Sequence, residues 1–459
     1  MRRAVKSVAI LGALVSSGLV GLSAASYAGP LLQGAGPSGR RAPAPLDPAL
    51  PTGAEMRFES RPAALAEPPA CSFLAPLCVH RARGVPAPSV LAFLGALETA
   101  YERLVGVLRL PAPLPDDARG GSPGFDVYLV AGAAPLHVAL DARDPTASHD
   151  AASAFCVVGD AEPAVDRTAT LCLGEAIGEV LDASETPFSR RALSEYLWSI
   201  VGTPTSSDAR AIDDYQARPE QATVARELSP FAEGSALFLD YLDRKKGRRD
   251  PGSVPLATYA LSAGPRSPAA FRWVNEPDTL DVLRATFGST PTEAARLFAD
   301  YATLRAFAGS RDAEMRWPDV DWAGDFARVR FEWSVPFSSL PRSLAPLRPI
   351  EPAGATYLYV VMDQDPKNAT FVFKADWEPP VAFAWTIVLV GKNGAILRRI
   401  DVPFLERGTE VERTVDRLGG AAGILIAGTN LGGLGPSYPF DPDFEPYEPH
   451  GYAVYVGKL

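Results

Sequence analysis

Pro187-Phe188-Ser189-Arg190-Arg191-Ala192-Leu193-Ser194-Glu195-Tyr196-Leu197-Trp198-Ser199-Ile200-Val201 is the stretch whose reading decides the fold. A proline opens it, Ser184 or Thr186 stands in capping position, and Leu193, Leu197 and Ile200 fall on one stripe, so the pattern predicts a helix over 187–201. Another helix opens at Pro230 and runs through Glu233, Leu237, Tyr241 and Leu242. On the first helix Ser194 and Trp198 are one turn apart with Glu195 beside them. On the second, Glu233-Gly234-Ser235-Ala236 occupies the opening turn, where an acid suits the helix dipole.

Outward from this pair, Val90, Leu91, Leu94, Leu97, Tyr101, Leu104, Val105 and Leu108 recur at helical spacing after Ser89, and Pro111 and Pro113 close that helix. Residues 125–130, 154–159 and 168–173 read as strands, and 278–287 and 291–308 as further helices. Helix, strands, then helices make an α+β domain. From about residue 318 the period changes to two. Strands are expected at 328–333, 357–362, 370–377, 381–390, 396–402, 409–415, 423–429 and 452–456, with a tight hairpin at Lys392-Asn393-Gly394. That pattern predicts an all-β sandwich over 315–459, behind an α+β domain over 70–314.

The 459 residues leave ample room for a buried core, and the net charge of −10 argues against nucleic acid as a partner. The compact basic run Arg244-Lys245-Lys246-Gly247-Arg248-Arg249 follows a helix, where cations suit its C-terminus. Arg2, Arg3 and Lys6 precede the apolar run 8–22, and Ser26-Tyr27-Ala28 offers small cleavage residues, which is the pattern of a signal peptide over 1–28. No other segment is apolar for long enough to span a bilayer. Residues 29–69 are rich in Pro, Ala and Gly and read as a linker. The four cysteines fit an oxidising compartment; among the three possible pairings, Cys71 with Cys78 and Cys156 with Cys172 close short loops.

The two glutamates set the chemistry. In the zinc motif H-E-x-x-H, histidines one turn apart hold the metal and the glutamate activates its bound water. The order of elements over residues 79–310, with Glu233-Gly234-Ser235-Ala236, resembles the secreted gluzincin-type metallopeptidases. There a backing helix and a small sheet precede the H-E-x-x-H helix, and a later helix carries the third zinc ligand, often within Glu-Gly-x-Ala. The resemblance implies a zincin-like fold, with Glu195 in the general-base position and Glu233 in that of the third ligand. Ser194 and Trp198 match the histidines and depart from them. Serine is a poor zinc ligand and an indole N–H only donates, so no zinc is expected.

Only four histidines are present, His80, His137, His149 and His450, and none recurs at H-x-x-x-H spacing. His137 and His149 fall near Asp141, Asp144 and Asp150 in what reads as a polar loop. Gly120-Gly121-Ser122-Pro123-Gly124 matches a nucleophile elbow only formally, because a loop leads into a strand there. Asp441, Asp443 and Glu445 gather oxygen ligands in a Pro-stiffened loop that could hold a cation or polar ligand. The expectation is an exported metallopeptidase-like protein, non-catalytic and with a binding role toward a protein or polymer, in the periplasm, envelope or medium. The competing expectation is an active hydrolase built around Glu195 and Glu233, with zinc as its cofactor.

Overall fold

A computed structural model describes residues 56–62, 68–132, 134–161, 164–223, 230–247, 251–268, 273, 277–287, 291–308, 328–366, 368–402, 408–433 and 449–459. The expected signal peptide, most of the linker and the loop bearing Asp441, Asp443 and Glu445 lie outside those residues.

The first half is built on a five-stranded sheet. Strands β1 (Ala70–Cys71) and β2 (Leu77–Arg81) form a hairpin, helix α1 (Ala87–Tyr101) crosses over, and β3 (Phe125–Val130), β4 (His137–Arg143) and β5 (Ala152–Gly159) complete the order β1-β2-β3-β5-β4. β2, β3 and β5 run parallel, while β1 and β4 are antiparallel edges. Side-chain alternation sends Leu77, Val79, Val127, Leu129, Ala154, Cys156 and Val158 to one face, where α1 and the next helix, α2 (Val165–Asp182), cover them. Both expected disulfides are formed: Cys71–Cys78 staples the β1–β2 hairpin, and Cys156–Cys172 ties β5 to α2.

Residues 168–173 are therefore helix rather than strand. Thr168 and Thr170 suggested strand by their β-branching, but α2 is buried on almost every side and tertiary packing overrides that weak preference. β4 likewise falls where a polar loop was expected, its burial being only partial along an edge.

Helix α3 (Pro187–Val201) matches its expected range, with the Thr186 hydroxyl accepting from the Ser189 backbone N–H at 3.2 Å. Then come α4 (Ala209–Ala217), α5 (Pro230–Gly234), α6 (Ala236–Lys246), α7 (Ser253–Ser262), α8 (Thr279–Phe287) and α9 (Pro291–Arg305). Among the described residues, none of the helices is long and apolar enough to cross a membrane.

Two sheets make a sandwich in the second half. The strands are β6 (Trp333–Pro336), β7 (Arg342–Leu344), β8 (Ala355–Val361), β9 (Phe371–Trp377), β10 (Val381–Gly391), β11 (Ile396–Asp401), β12 (Glu410–Val415), β13 (Ala421–Gly433) and β14 (Tyr452–Lys458). Their orders are β11-β10-β13-β8-β6 and β12-β9-β14-β7. The chain is thus mixed α+β with a sandwich of two sheets.

β10 is buried along its whole length, because the helical half covers its second face. Phe383, Trp385, Ile387 and Leu389 enter the sandwich core; Ala382 and Ala384 join the helical core, and Val388 and Val390 meet Ala302 and Phe307. A buried polar joint accompanies this packing. The Arg305 guanidinium stacks 3.7 Å over the Tyr215 ring and donates to Gln216 Oε1 at 2.7 Å, while Tyr357 Oη donates to the Ala302 carbonyl at 2.8 Å.

Candidate functional site

Glu195, midway along α3, and Glu233, in the single turn of α5, are brought together, although the sequence separates them by a polar, Pro-interrupted segment. Arg167, in the first turn of α2, bridges them. Its Nη2 donates to Glu195 Oε2 at 2.8 Å and to Glu233 Oε2 at 2.7 Å, and its Nε lies 3.7 Å from Asp208. Asp208 is itself fixed by the Thr205 capping box of the short turn Ser206–Asp208 that leads into α4. The other oxygen of Glu233 accepts from Arg191 Nη1 at 3.2 Å, and the Arg191 Nε pairs with Glu175 of α2. Glu233 therefore has a guanidinium on each oxygen, and both carboxylates face cations supplied by the protein itself.

The side chains of Arg167, Glu195 and Glu233 are 18%, 10% and 17% exposed, so these are nearly buried ion pairs. Burial pushes the Glu195 carboxyl up to about 7; Arg167 pulls it down and the Glu233 charge pushes it up. The Glu175 carboxyl is also raised by burial, against the pull of Arg191 and Arg190. For Arg167, desolvation opposes the charge, but Glu195 and Glu233 outweigh it and hold the guanidinium protonated.

Ser194 and Trp198 do not line this cluster as ligands. The Ser194 hydroxyl donates back to the Arg191 carbonyl at 2.9 Å, and its Cα and Cβ lie 3.0 Å from where a Cβ on Gly174 would sit. Trp198 lays its ring against Gly202 one turn on, and its buried indole N–H has no acceptor among the described residues.

The sequence reading passed over a second glutamate frame. Gly174-Glu175-Ala176-Ile177-Gly178 on α2 has glycines flanking a glutamate at one-turn spacing, on the helix that directly follows the sheet. Reading 168–173 as strand hid it. The two glycines let α3 lie close: a Cβ on Gly178 would come within 3.2 Å of the Arg190 side chain, as one on Gly174 would meet Ser194. Further along this seam Glu179 pairs with Arg190 Nε at 2.7 Å, and burial pushes Glu179 and Asp182 up to about 7.

The histidines lie elsewhere. His80 is buried on β2 against Asp126; His137 meets Glu59; His149 Nε2 is 3.0 Å from the Val180 carbonyl. Among the described residues, no three His, Cys, Asp or Glu side chains are placed to hold a metal ion.

No family model matches the chain, and comparison of its sequence with curated proteins finds no match. Among solved structures, it is similar to the pre-peptidase C-terminal domain of a collagenase from Bacillus anthracis (8% identity, 28% of this chain and 96% of that one, TM-score 0.18). A chitosan-binding module of a chitosanase/glucanase from Paenibacillus sp. IK-5 gives 16% identity, 25% and 74% coverage, and a TM-score of 0.16. Likeness at that level carries no argument about what this chain binds.

Proposed function

We propose that the chain is an exported, metallopeptidase-like protein in which arginines occupy the place of the catalytic cation, so that it serves in binding rather than hydrolysis. The carrying observation is Glu233, the third-ligand position of the family it resembles, held by Arg167 on one oxygen and Arg191 on the other. A guanidinium between two carboxylates supplies the positive charge a metal would bring, and it offers no open coordination position for water. Export is supported by the two disulfides, which belong to oxidising compartments.

One observation favours a second reading. Glu195, buried and pushed up to about 7, has the acidity of a general acid or base at neutral pH. A hydrolase using it would need Arg167 to swing aside.

Metal analysis with a protease assay on the purified protein separates the two. The proposal expects substoichiometric zinc and no proteolysis above that of the Glu195→Gln variant. Stoichiometric zinc, with proteolysis abolished by a chelator and by Glu195→Gln, overturns it.

A further inference from the structure

The sheet face opposite α1 and α2 carries an unusual set of buried polar groups. His80 of β2, Asp126 and Tyr128 of β3, and Phe155 of β5 lie there, joined by Asp116 from the loop before β3 and Asp141 of β4. Asp116, Asp126, Tyr128 and Phe155 are all at most 2% exposed. Into this recess the chain inserts Arg61, from within the stretch that composition marks as linker. Its Nη2 lies 2.5 Å from Asp116 Oδ2 and 3.1 Å from Asp141 Oδ2, and its Nε donates to Asp141 Oδ1 at 3.3 Å. Its Nη1 pairs with Asp126 and donates to Tyr128 Oη at 3.0 Å.

The aromatic walls point to a guanidinium independently of the acids. The Arg61 head group lies 5.9 Å from the Tyr128 ring centre and 5.4 Å from that of Phe155, and His80 stacks against Tyr128 at 4.6 Å. A planar cation with forked donors satisfies several carboxylates and two ring faces together; an ammonium is a point charge and cannot. His80 holds Asp126 through Nε2 at 2.9 Å, while its buried Nδ1 has no partner among the described residues. Gly120 completes the enclosure, since a Cβ there would collide with Asp126 and Arg61.

Further contacts tie the segment that delivers Arg61 to the folded body. Phe58 bridges Leu140, the Glu59 N–H donates to the Leu140 carbonyl at 3.0 Å, Glu59 meets His137 at the surface, and Met56 joins a small cluster with Ala152, Ala183 and Trp273. Every wall of the recess belongs to residues 80–155 of the folded body. We propose that this recess is a guanidinium-binding site complete without residues 56–62, filled in cis by Arg61 and able to take an arginine side chain of a peptide when that segment lifts away. Three buried carboxylates need a cation; besides Arg61, Arg119 reaches Asp141 from the surface, 3.3 Å from its carboxylate and donating to its carbonyl at 2.7 Å.

The test uses Arg61→Ala in the full chain, with methylguanidinium, methylammonium and a synthetic peptide of residues 56–62 as probes. Methylguanidinium at saturating millimolar concentration is expected to raise the variant's Tm by about 5 °C while leaving the wild type unchanged. Methylammonium should give less than half of that shift, and the peptide should bind the variant at least about tenfold more tightly than its Arg61→Lys version. If Arg61→Ala does not fold unaided, the same comparison is made as refolding yield. Equal effects of the two small cations, or none specific to the variant, overturn the proposal.

Discussion

Replacing Arg167 by methionine removes the guanidinium that Glu195 and Glu233 share while keeping most of its apolar volume. Breaking a buried pair by deleting one partner costs about 3–5 kcal/mol, because the remaining charge is left without compensation. Here the remaining charges are carboxyls, which can escape by taking up protons. An ordinary glutamate ionises near 4.3, so keeping one neutral costs roughly 5 kcal/mol at pH 8 but only about 1 kcal/mol at pH 5, at about 1.4 kcal/mol per unit. The loss in Arg167→Met is therefore expected to be about 3–5 kcal/mol at pH 8 and to shrink to about 1 kcal/mol at pH 5. Urea denaturation of variant and wild type at the two pH values measures it. Adding Glu195→Gln and Glu233→Gln to the variant should recover most of the loss at pH 8. A variant within 0.5 kcal/mol of wild type at both values (about the spread of neutral surface changes), or one hit harder at pH 5, refutes the reasoning.

Glu179 and Asp182 on α2, with folded values near 7, take up protons on folding. Their contribution is full below the unfolded carboxyl range and is lost as pH rises toward 7, so urea midpoints should fall between pH 5 and 8; Glu179→Gln should flatten that slope, and an unchanged slope counts against the account. Gly174→Val puts a branched side chain where Ser194 sits 3.0 Å away, and a loss of about 2 kcal/mol is expected from chemical denaturation; a neutral result means that α3 can give way. The Cys156→Ala/Cys172→Ala variant opens a link across 16 residues and should lose about 3 kcal/mol relative to the oxidised wild type in the same assay; an unchanged midpoint counts against the account.

The sequence was most legible where local chemistry and tertiary packing agree. α3 falls where its Thr186 cap and Pro187 predict, and most strands of the sandwich fall where expected, but β6 begins where the strand expected at 328–333 was to end and β7 was not anticipated. The disulfides followed from loop length. α2 was misread because the β-branched Thr168 and Thr170 outweighed a stripe that was present: Ala169, Cys172, Leu173, Ala176 and Ile177 recur at helical spacing, as do Glu175, Glu179 and Asp182. A shared place for Glu195 and Glu233 was implied only by the resemblance of layout, and Arg167 by nothing in the sequence, since ion pairs between helices leave no spacing in the chain. Arg61 was concealed in the same way: a Pro- and Ala-rich composition describes the average of a stretch, not the single side chain whose partners lie 55 to 80 residues on.

The joint around Arg305 bears on how the two halves can be separated. Ala353, Ala382, Ala384 and Leu431 of the sandwich belong to the same apolar cluster as Tyr215, Phe231 and Tyr301, so cutting the chain after the last helix would strip a wall from the helical core. Heating should then melt both halves in one cooperative transition, and a lesion on the β10 face would register first as failure of the helices around Glu233. In evolutionary terms, such a sandwich cannot be exchanged like a bead on a string; it has to change together with the helices it closes.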